Sequence, residues 1–531
     1  MRLFPMNVGQ ARMRLVQGGA ALAAAALVVG CGSAYRPVVT PITPSGPPAQ
    51  PSSYAVVVSA PSTTSPGVAT VIDYSGDTVL ALAPIGPGPT TFTIDETGSN
   101  GYTVNSDGTL SNFPVSSNLQ AKNVTYTTLP ATAQPVNLFT PSVGLYAADL
   151  NGNDADVFTG FPQAFKLAIP VNNTPVAIVG PAVNGQRVFA LTQGTVASGT
   201  ACNTSPTSVG VNGEADGIEL SPYSVSSHIA LDPYNPTNSA GGTMNGQCPV
   251  FAVETPDNKR LFVLNRGSDS VSVINAQDNT LDQCTPFVNQ SGQTVYCHPI
   301  LPLSLTAVSA LNAAYKAAGS PADGATGTPP NGTTGMAQTA GPVYAEYNPA
   351  TAQLIVANYD GGTISVIDVS EDEYGNDSQT FGTTFTIPVG KNPAAVTVLS
   401  DGSRAYTANQ TDETVTVVTL SSHTVEKTLP ITGHPRTVVS TQNSEQGKVY
   451  VASPDSPYLT ILRTDLDIVD TTVLVEGNIV DVRVTTQNGS SGNANTMSRR
   501  PGFGQPCYLP PSLEPAPTGT QTALDVCRTL P

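Results

Sequence analysis

One short pattern returns along this chain, and it limits the fold more than any bulk property. Leu261–Asn265, Leu354–Asn358, Ala405–Asn409 and Val449–Ser453 are apolar runs of one length, each ending in Asn or Ser. A polar turn follows each: RGSDS, YDGGT, QTDET and PDSPY. An alternating run follows each turn: VSVIN, ISVID, VTVVT and LTILR. Alternation with a period of two, bounded by Asn, Asp and Gly, reads as strand, tight turn, strand. Looser copies begin at Tyr54, Tyr102, Leu145 and Val188, which makes eight.

A second marker repeats out of phase with the first. Pro89, Pro135, Pro175, Pro249, Pro342, Pro393 and Pro435 each precede another apolar run. Proline lacks an N–H and is tolerated at the first residue of a strand or at an edge, so these residues mark strand starts. The clearest full unit is IPVGKNPAAVTVLSDGSRAYTAN, Ile387 to Asn409. It resembles the repeat of the YVTN (YncE-like) β-propeller family, strongly over residues 250–470 and loosely from 54. The resemblance implies an all-β fold: a single β-propeller of four-stranded antiparallel blades, with strand A lining the centre and strand D outermost. Residues 54–88 supply strands B, C and D with no preceding A. Asn478–Thr486 supply an A with nothing after it. The N- and C-terminal strands are therefore predicted to share one blade and close the ring. Eight blades are expected, with the family's usual seven as the alternative.

The N-terminus reads as an address. Arg2, Arg12 and Arg14 precede the apolar run Val16–Gly30, which is shorter than the roughly 20 residues a membrane span needs. The run ends Leu27-Val28-Val29-Gly30-Cys31, which resembles the lipobox of bacterial lipoproteins. Residues 1–30 are thus expected to be a signal peptide and Cys31 a lipidation site that anchors the chain to a membrane. The resemblance points to the outer membrane of the cell envelope. Residues 31–53 are Pro-rich and read as a polyproline stalk. The propeller is assigned to 54–487, with insertions at about 195–248 and 303–341, and residues 488–531 to a flexible extension.

Cysteine parity fits export. With Cys31 set aside, six cysteines remain, an even number for an oxidising compartment. Neighbour pairing is the simplest of the possible connectivities: Cys202–Cys248, Cys284–Cys297 and Cys507–Cys527. The formal charge of −17 argues against nucleic acid as a partner.

Candidate chemistry is sparse. Asp149-Leu-Asn-Gly-Asn-Asp154-Ala-Asp156 places oxygen ligands as calcium loops do, and resembles those of FG-GAP-type propellers. Its last Asp falls one place early, however, and the segment aligns with the B–C turn of every other repeat. Asn and Asp favour such turns without a metal, so no metal or cofactor is assigned. His298 and His434 are read as solvated or capping. Glu371-Asp372-Glu373 with Asp377 is read as a solvated acidic loop. No GxSxG, HExxH, Walker or dinucleotide motif occurs.

The insertions are expected to share the face of the B–C turns, where repeat proteins often bind. The expected function is a monomeric, non-enzymatic scaffold for a protein or glycan partner. A lactonase-like or other metal-dependent hydrolase and a structural envelope protein are the alternatives.

Overall fold

The computed structural model describes residues 53–485, apart from 142, 182–185, 195–210, 240–241, 322–332 and 442. Eight sheets of four principal strands make the body. Their innermost strands begin at Pro89, Pro135, Pro175, Pro249, Pro342, Pro393, Thr437 and Asn478. We number the blades one to eight in that order. Six of these strands start on a proline, because the first residue of a strand can lack an N–H without breaking the ladder. Each innermost strand contacts that of the next blade, and that of blade eight contacts blade one. The sheets therefore form a closed propeller.

Blade eight is shared between the two ends of the described chain. Asn478–Val484 is its strand A, and Tyr54–Ala60, Pro66–Asp73 and Val79–Pro87 are B, C and D. Val56 lies opposite Arg483, and Val57 opposite Val482. Tyr54 N–H donates to Thr485 Oγ1 at 2.8 Å and Ser59 Oγ to Glu476 O at 2.7 Å.

The apolar core is a set of layers between sheets. One layer runs from Val136 of blade two round to Leu462 of blade seven. Others join blades seven and eight, eight and one, and one and two. Inner strands are buried along their length, whereas outer strands such as Thr424–Pro430 are mostly exposed. That gradient is the sequence pattern in physical form. Strands A to C are apolar on both faces because a blade packs against a neighbour on each side.

Two blades carry additions. In blade four, strand D is split into Thr280–Leu281 and Ile300–Pro302, both paired with strand C, Ser270–Asn275. The intervening loop holds a small hairpin and the disulfide Cys284–Cys297, with Cα atoms 5.6 Å apart. The connection from blade four to five holds a helix, Leu305–Ala317, whose first turn is capped by Ser304 Oγ accepting from Ala307 N–H at 3.0 Å.

Closure has a direct test. A chain truncated after Glu476 loses strand A of blade eight and exposes the unpaired edge of Tyr54–Ala60, a template for intermolecular pairing. We expect soluble aggregates in size-exclusion chromatography where the full chain elutes as a compact species.

Candidate functional site

Antiparallel order places the B–C turns and the D–A connections on one face, and the A–B and C–D turns on the other. The described insertions meet on the first face. Asn212, at the end of the blade-three B–C segment, takes the N–H of Gly246 on its Oδ1 at 2.9 Å. Its own N–H donates to Asn238 Oδ1 at 2.6 Å. Asp232 accepts from Asn245 N–H at 2.7 Å and from Tyr234 N–H at 2.9 Å. The Tyr234 ring meets Tyr315 of the helix edge-on, with centroids 5.9 Å apart. Asp269, in the blade-four B–C turn, accepts from Ala340 and Gly341 N–H at 3.0 and 2.8 Å. Arg266 of the same turn is fully buried and grips both carboxylate oxygens of Asp360 in the next blade at 3.0 Å. The surface from blade three to blade five is thus one bonded unit.

A second feature of this face lies in the blades themselves. In blades one, four, five and six, strand B ends on a buried Asn: Asn105, Asn265, Asn358 and Asn409. Its amide donates to the hydroxyls of the first and third residues of strand C. For Asn358 these are Thr363 at 3.0 Å and Ser365 at 2.9 Å. For Asn409 they are Thr414 at 3.1 Å and Thr416 at 2.8 Å. These are neutral sets built from one donor group and two hydroxyls.

Blades two and three hold acids at the same positions. In blade two they are Asp149, Asp154 and Asp156, with Asp154 directly opposite Asp149. One oxygen from each lies within 4.8 Å of the others. Burial together with Asp149 pushes Asp154 up to about 6. Burial together with both other carboxylates pushes Asp156 up to about 7. The turn between them places Asn153 at φ 52°, a conformation Asn tolerates. At Gly152 an added Cβ would fall 2.6 Å from Asp154 Oδ2 and 2.9 Å from Asp149 Oδ2, so the turn leaves no room for a side chain there.

In blade three the equivalents are Thr192, Glu214 and Asp216. His228 of strand D lies opposite Asp216, its Nδ1 at 2.7 Å from Asp216 Oδ1 and 4.0 Å from Glu214. Asn172 N–H donates to Asp216 Oδ2 at 2.7 Å. The sequence reading passed over this group. Its signal was the acid at two positions where other repeats carry Ser or Thr.

The remaining candidates fall on the opposite face or between blades. His298 and Asp377 are buried, which corrects the solvated reading of Asp377 and leaves the bonded, capping alternative for His298. His298 Nδ1 meets Asp377 Oδ2 at 2.8 Å, and its ring stacks on Phe381. Arg260 bridges Asp377 at 3.1 Å and Asp282 at 3.2 Å. Burial next to Asp377 raises Asp282. Glu371 pairs with Lys259 at 2.6 Å, and Asp372 accepts from Tyr374 and Asn376 N–H at 2.9 Å each. Asn289 Nδ2 donates to Asp372 at 3.4 Å and Ser291 Oγ to Glu373 at 3.2 Å, so the acidic loop is a latch that ties the disulfide hairpin of blade four to blade five. His434 caps between blades: its N–H and Nδ1 both meet Asp455, at 2.8 and 2.6 Å. His423 stacks on Phe385 at 3.8 Å. Cys248 is disulfide-bonded; Cys31, Cys202, Cys507 and Cys527 lie outside the described residues.

A cleft of about 430 Å³ opens between blades three and four on the A–B face, lined by Arg187, Glu219, Glu254 and Asp257 among others. Arg187 Nε donates to Glu219 at 2.7 Å and its Nη1 to Asn279 at 2.7 Å. Glu254 is buried, and burial pushes its carboxyl up to about 8 against the opposing pull of Arg187.

No protein-family model and no curated protein matches the sequence. Solved structures do match. Dihydro-heme d1 dehydrogenase NirN in complex with DHE is 14% identical, with a TM-score of 0.51 over 85% of this chain and 78% of that one. Apo AztD from Citrobacter koseri is 11% identical, with a TM-score of 0.49 over 81% of this chain and 97% of that one. The sheet topology defines the class, a β-propeller; at 14% identity the likeness to NirN agrees with that fold and carries no activity.

Glu254 gives a pH prediction. Its folded value lies above the ordinary 4.5, so the folded state holds a proton that the unfolded state releases. The stability this contributes is complete below the unfolded value and lost as pH rises through the folded one. We expect Glu254→Gln to flatten the decline in denaturant stability between about pH 5 and about pH 8 by up to ~1.4 kcal/mol per pH unit.

Proposed function

We propose that this chain is an exported YVTN-type propeller, lipidated at Cys31 and held on its Pro-rich stalk at the outer membrane. There it acts as a non-enzymatic binding platform for a protein or glycan of the cell envelope. The observation that carries this reading is the bonded surface on the B–C face. Long connections from blades three to five are joined there by Asn212, Asp232, Asp269 and the Tyr234–Tyr315 contact. Insertions that gather on one face of a repeat array and are held rigid suit recognition, because little ordering entropy is then lost on binding. The opposite face bears mainly short turns and the hairpin latch. Its buried acids and His298 are bonded to structural neighbours.

The envelope address is supported by the signal-like N-terminus and by the disulfides at Cys248 and Cys284–Cys297, which suit an oxidising compartment.

Two measurements test the proposal. Cys31→Ala should abolish acyl labelling and release the protein from the membrane fraction. Photo-crosslinkers at the exposed helix positions Ala313 and Lys316 should capture a defined envelope partner, whereas probes at Asp257 and Asp401 on the opposite face should not. Equal capture from both faces, or turnover of a lactone panel by the purified protein, would reverse the reading.

A further inference from the structure

The repeated blade is its own control for the acids of blade two. Where strand B ends on Asn and strand C offers two hydroxyls, the three polar groups bond one another, and no charge enters the core. At the same three positions blade two has Asp149, Asp154 and Asp156. Ionised carboxylates only accept, so this set cannot satisfy itself.

Blade three shows how such acids are answered from within the fold. Its Asp216 receives His228 from strand D and the N–H of Asn172 from the incoming connection. Blade two lacks both. Opposite Asp156 stand Ala168 on strand D and Ala147 on strand B; opposite Asp154 on strand D stands Pro170. The counterpart of Asn172 is found by register. Asn172 follows Val171, whose N–H bonds the carbonyl just before strand C, and in the connection into blade two Leu129 makes that same bond. The residue after Leu129 is Pro130, which has no N–H to give.

In blades four, five and six the Asn Oδ1 is also buried without a partner, but it carries no charge; in blade two the unpartnered atoms belong to carboxylates. Asp156 is 1% exposed, and its Oδ2 has no hydrogen-bond partner. Asp154 Oδ1 is buried and likewise without one. Asp149 Oδ1 is held by the N–H groups of Gln134 and Asn151 at 2.7 and 3.0 Å, which fixes that carboxylate in place. A buried carboxylate with no partner is costly unless a proton or a cation joins it.

We propose that Asp149, Asp154 and Asp156 bind a calcium ion on the B–C face of blade two. The donor set is all oxygen and all carboxylate, the chemistry of a hard cation. The three oxygens lie within 4.8 Å of one another, the span of two Ca–O bonds of about 2.4 Å across one ion. Mg²⁺ keeps several of its waters and is usually held by one or two carboxylates, so a set of three protein carboxylates favours Ca²⁺. Glu214, Asp216 and His228 of blade three also bring ligand atoms within 4.8 Å of one another, but there Asp216 already has a histidine and a backbone N–H as partners, so the ion is assigned to blade two. This inference does not depend on the binding-platform reading, and the two can fail separately.

The test uses the full chain, stripped with chelator. Calorimetric titration with CaCl₂ should give one site per chain. The melting temperature should rise with Ca²⁺ concentration, as for a ligand bound only by the folded state. The decisive variant combines Asp149→Asn, Asp154→Thr and Asp156→Ser, the set found in blade five. It should fold without metal, show no Ca²⁺-dependent melting shift, and bind at least about tenfold more weakly. Asp154→Asn alone, a milder change, should weaken binding while leaving the fold intact. Absence of a one-site isotherm in the wild type at millimolar Ca²⁺ would overturn the proposal. So would preference for Zn²⁺ over Ca²⁺, unchanged binding by the triple variant, or loss of binding in Glu214→Gln instead.

Discussion

The ring has a single seam, the antiparallel pairing of Tyr54–Ala60 with Asn478–Val484, and its closure depends on that pairing. Without it, blade eight would end on an open strand and blades seven and one would each lose a packing face. Joining segments so distant in sequence costs entropy that grows only with the logarithm of the loop. Against this stand the ladder bonds and the burial of Val57, Val482 and Val484, at roughly 1.5–3 kcal/mol for each fully buried aliphatic side chain. Side chains reinforce the seam from blade seven: Lys448 Nζ reaches Asp77 at 2.6 Å and the carbonyl of Tyr74 at 2.8 Å.

Within the closed ring blades one to six share a polar position between the end of strand B and the start of strand C, whereas blade seven has Ala452 and Tyr458 there and blade eight Ala60 and Pro66. The usual occupant is a neutral Asn with two hydroxyls, which costs little because each donor finds an acceptor. Charge at this position requires a counter-charge or a proton. In blade three Asp216 has hydrogen-bond partners in His228 and the N–H of Asn172, whereas blade two has Ala147, Ala168 and Pro130 where partners would stand. In a chain with only 11% charged residues, three acids at one buried site are a large local departure. Shared register turns that departure into a specific chemical difference between adjacent blades.

The blade count, the strand starts and the shared eighth blade were legible because period-two alternation and initial prolines are local signals. Pro89 and Pro393 mark strands whether or not their partners are known. The disulfide Cys284–Cys297 was legible as a pair of neighbours, but not as an interruption of strand D, since that depends on Ile300–Pro302 returning to Ser270–Ser272. Asp377 looked solvated because 79 residues separate it from His298 and only the fold of blades four and five brings them together. The acids of blade three were obscured by the long segment before Glu214, which hid the register of its strand C. Glu254 sat unnoticed in an apolar strand, where one acid breaks no pattern.

The elaborated face follows from how a propeller is wired. Each D–A connection passes between the B–C turn of the blade it leaves and that of the blade it joins, so added residues there meet two turns at once. Gly246 lies in such a connection: it bonds Asn212 on one side, while its neighbour Gln247 donates its N–H to Ser268 Oγ on the other at 3.2 Å. Insertions in A–B turns would have no such bridge. The same wiring reaches the acids of blade two. Asn153, between Gly152 and Asp154, accepts from Thr174 N–H at 2.9 Å in the connection to blade three. Thr174 Oγ1 donates in turn to Gly194 O at 2.8 Å, where the blade-three insertion begins. The turn that carries Asp154 is thus joined through Thr174 to Gly194, just past strand B of blade three.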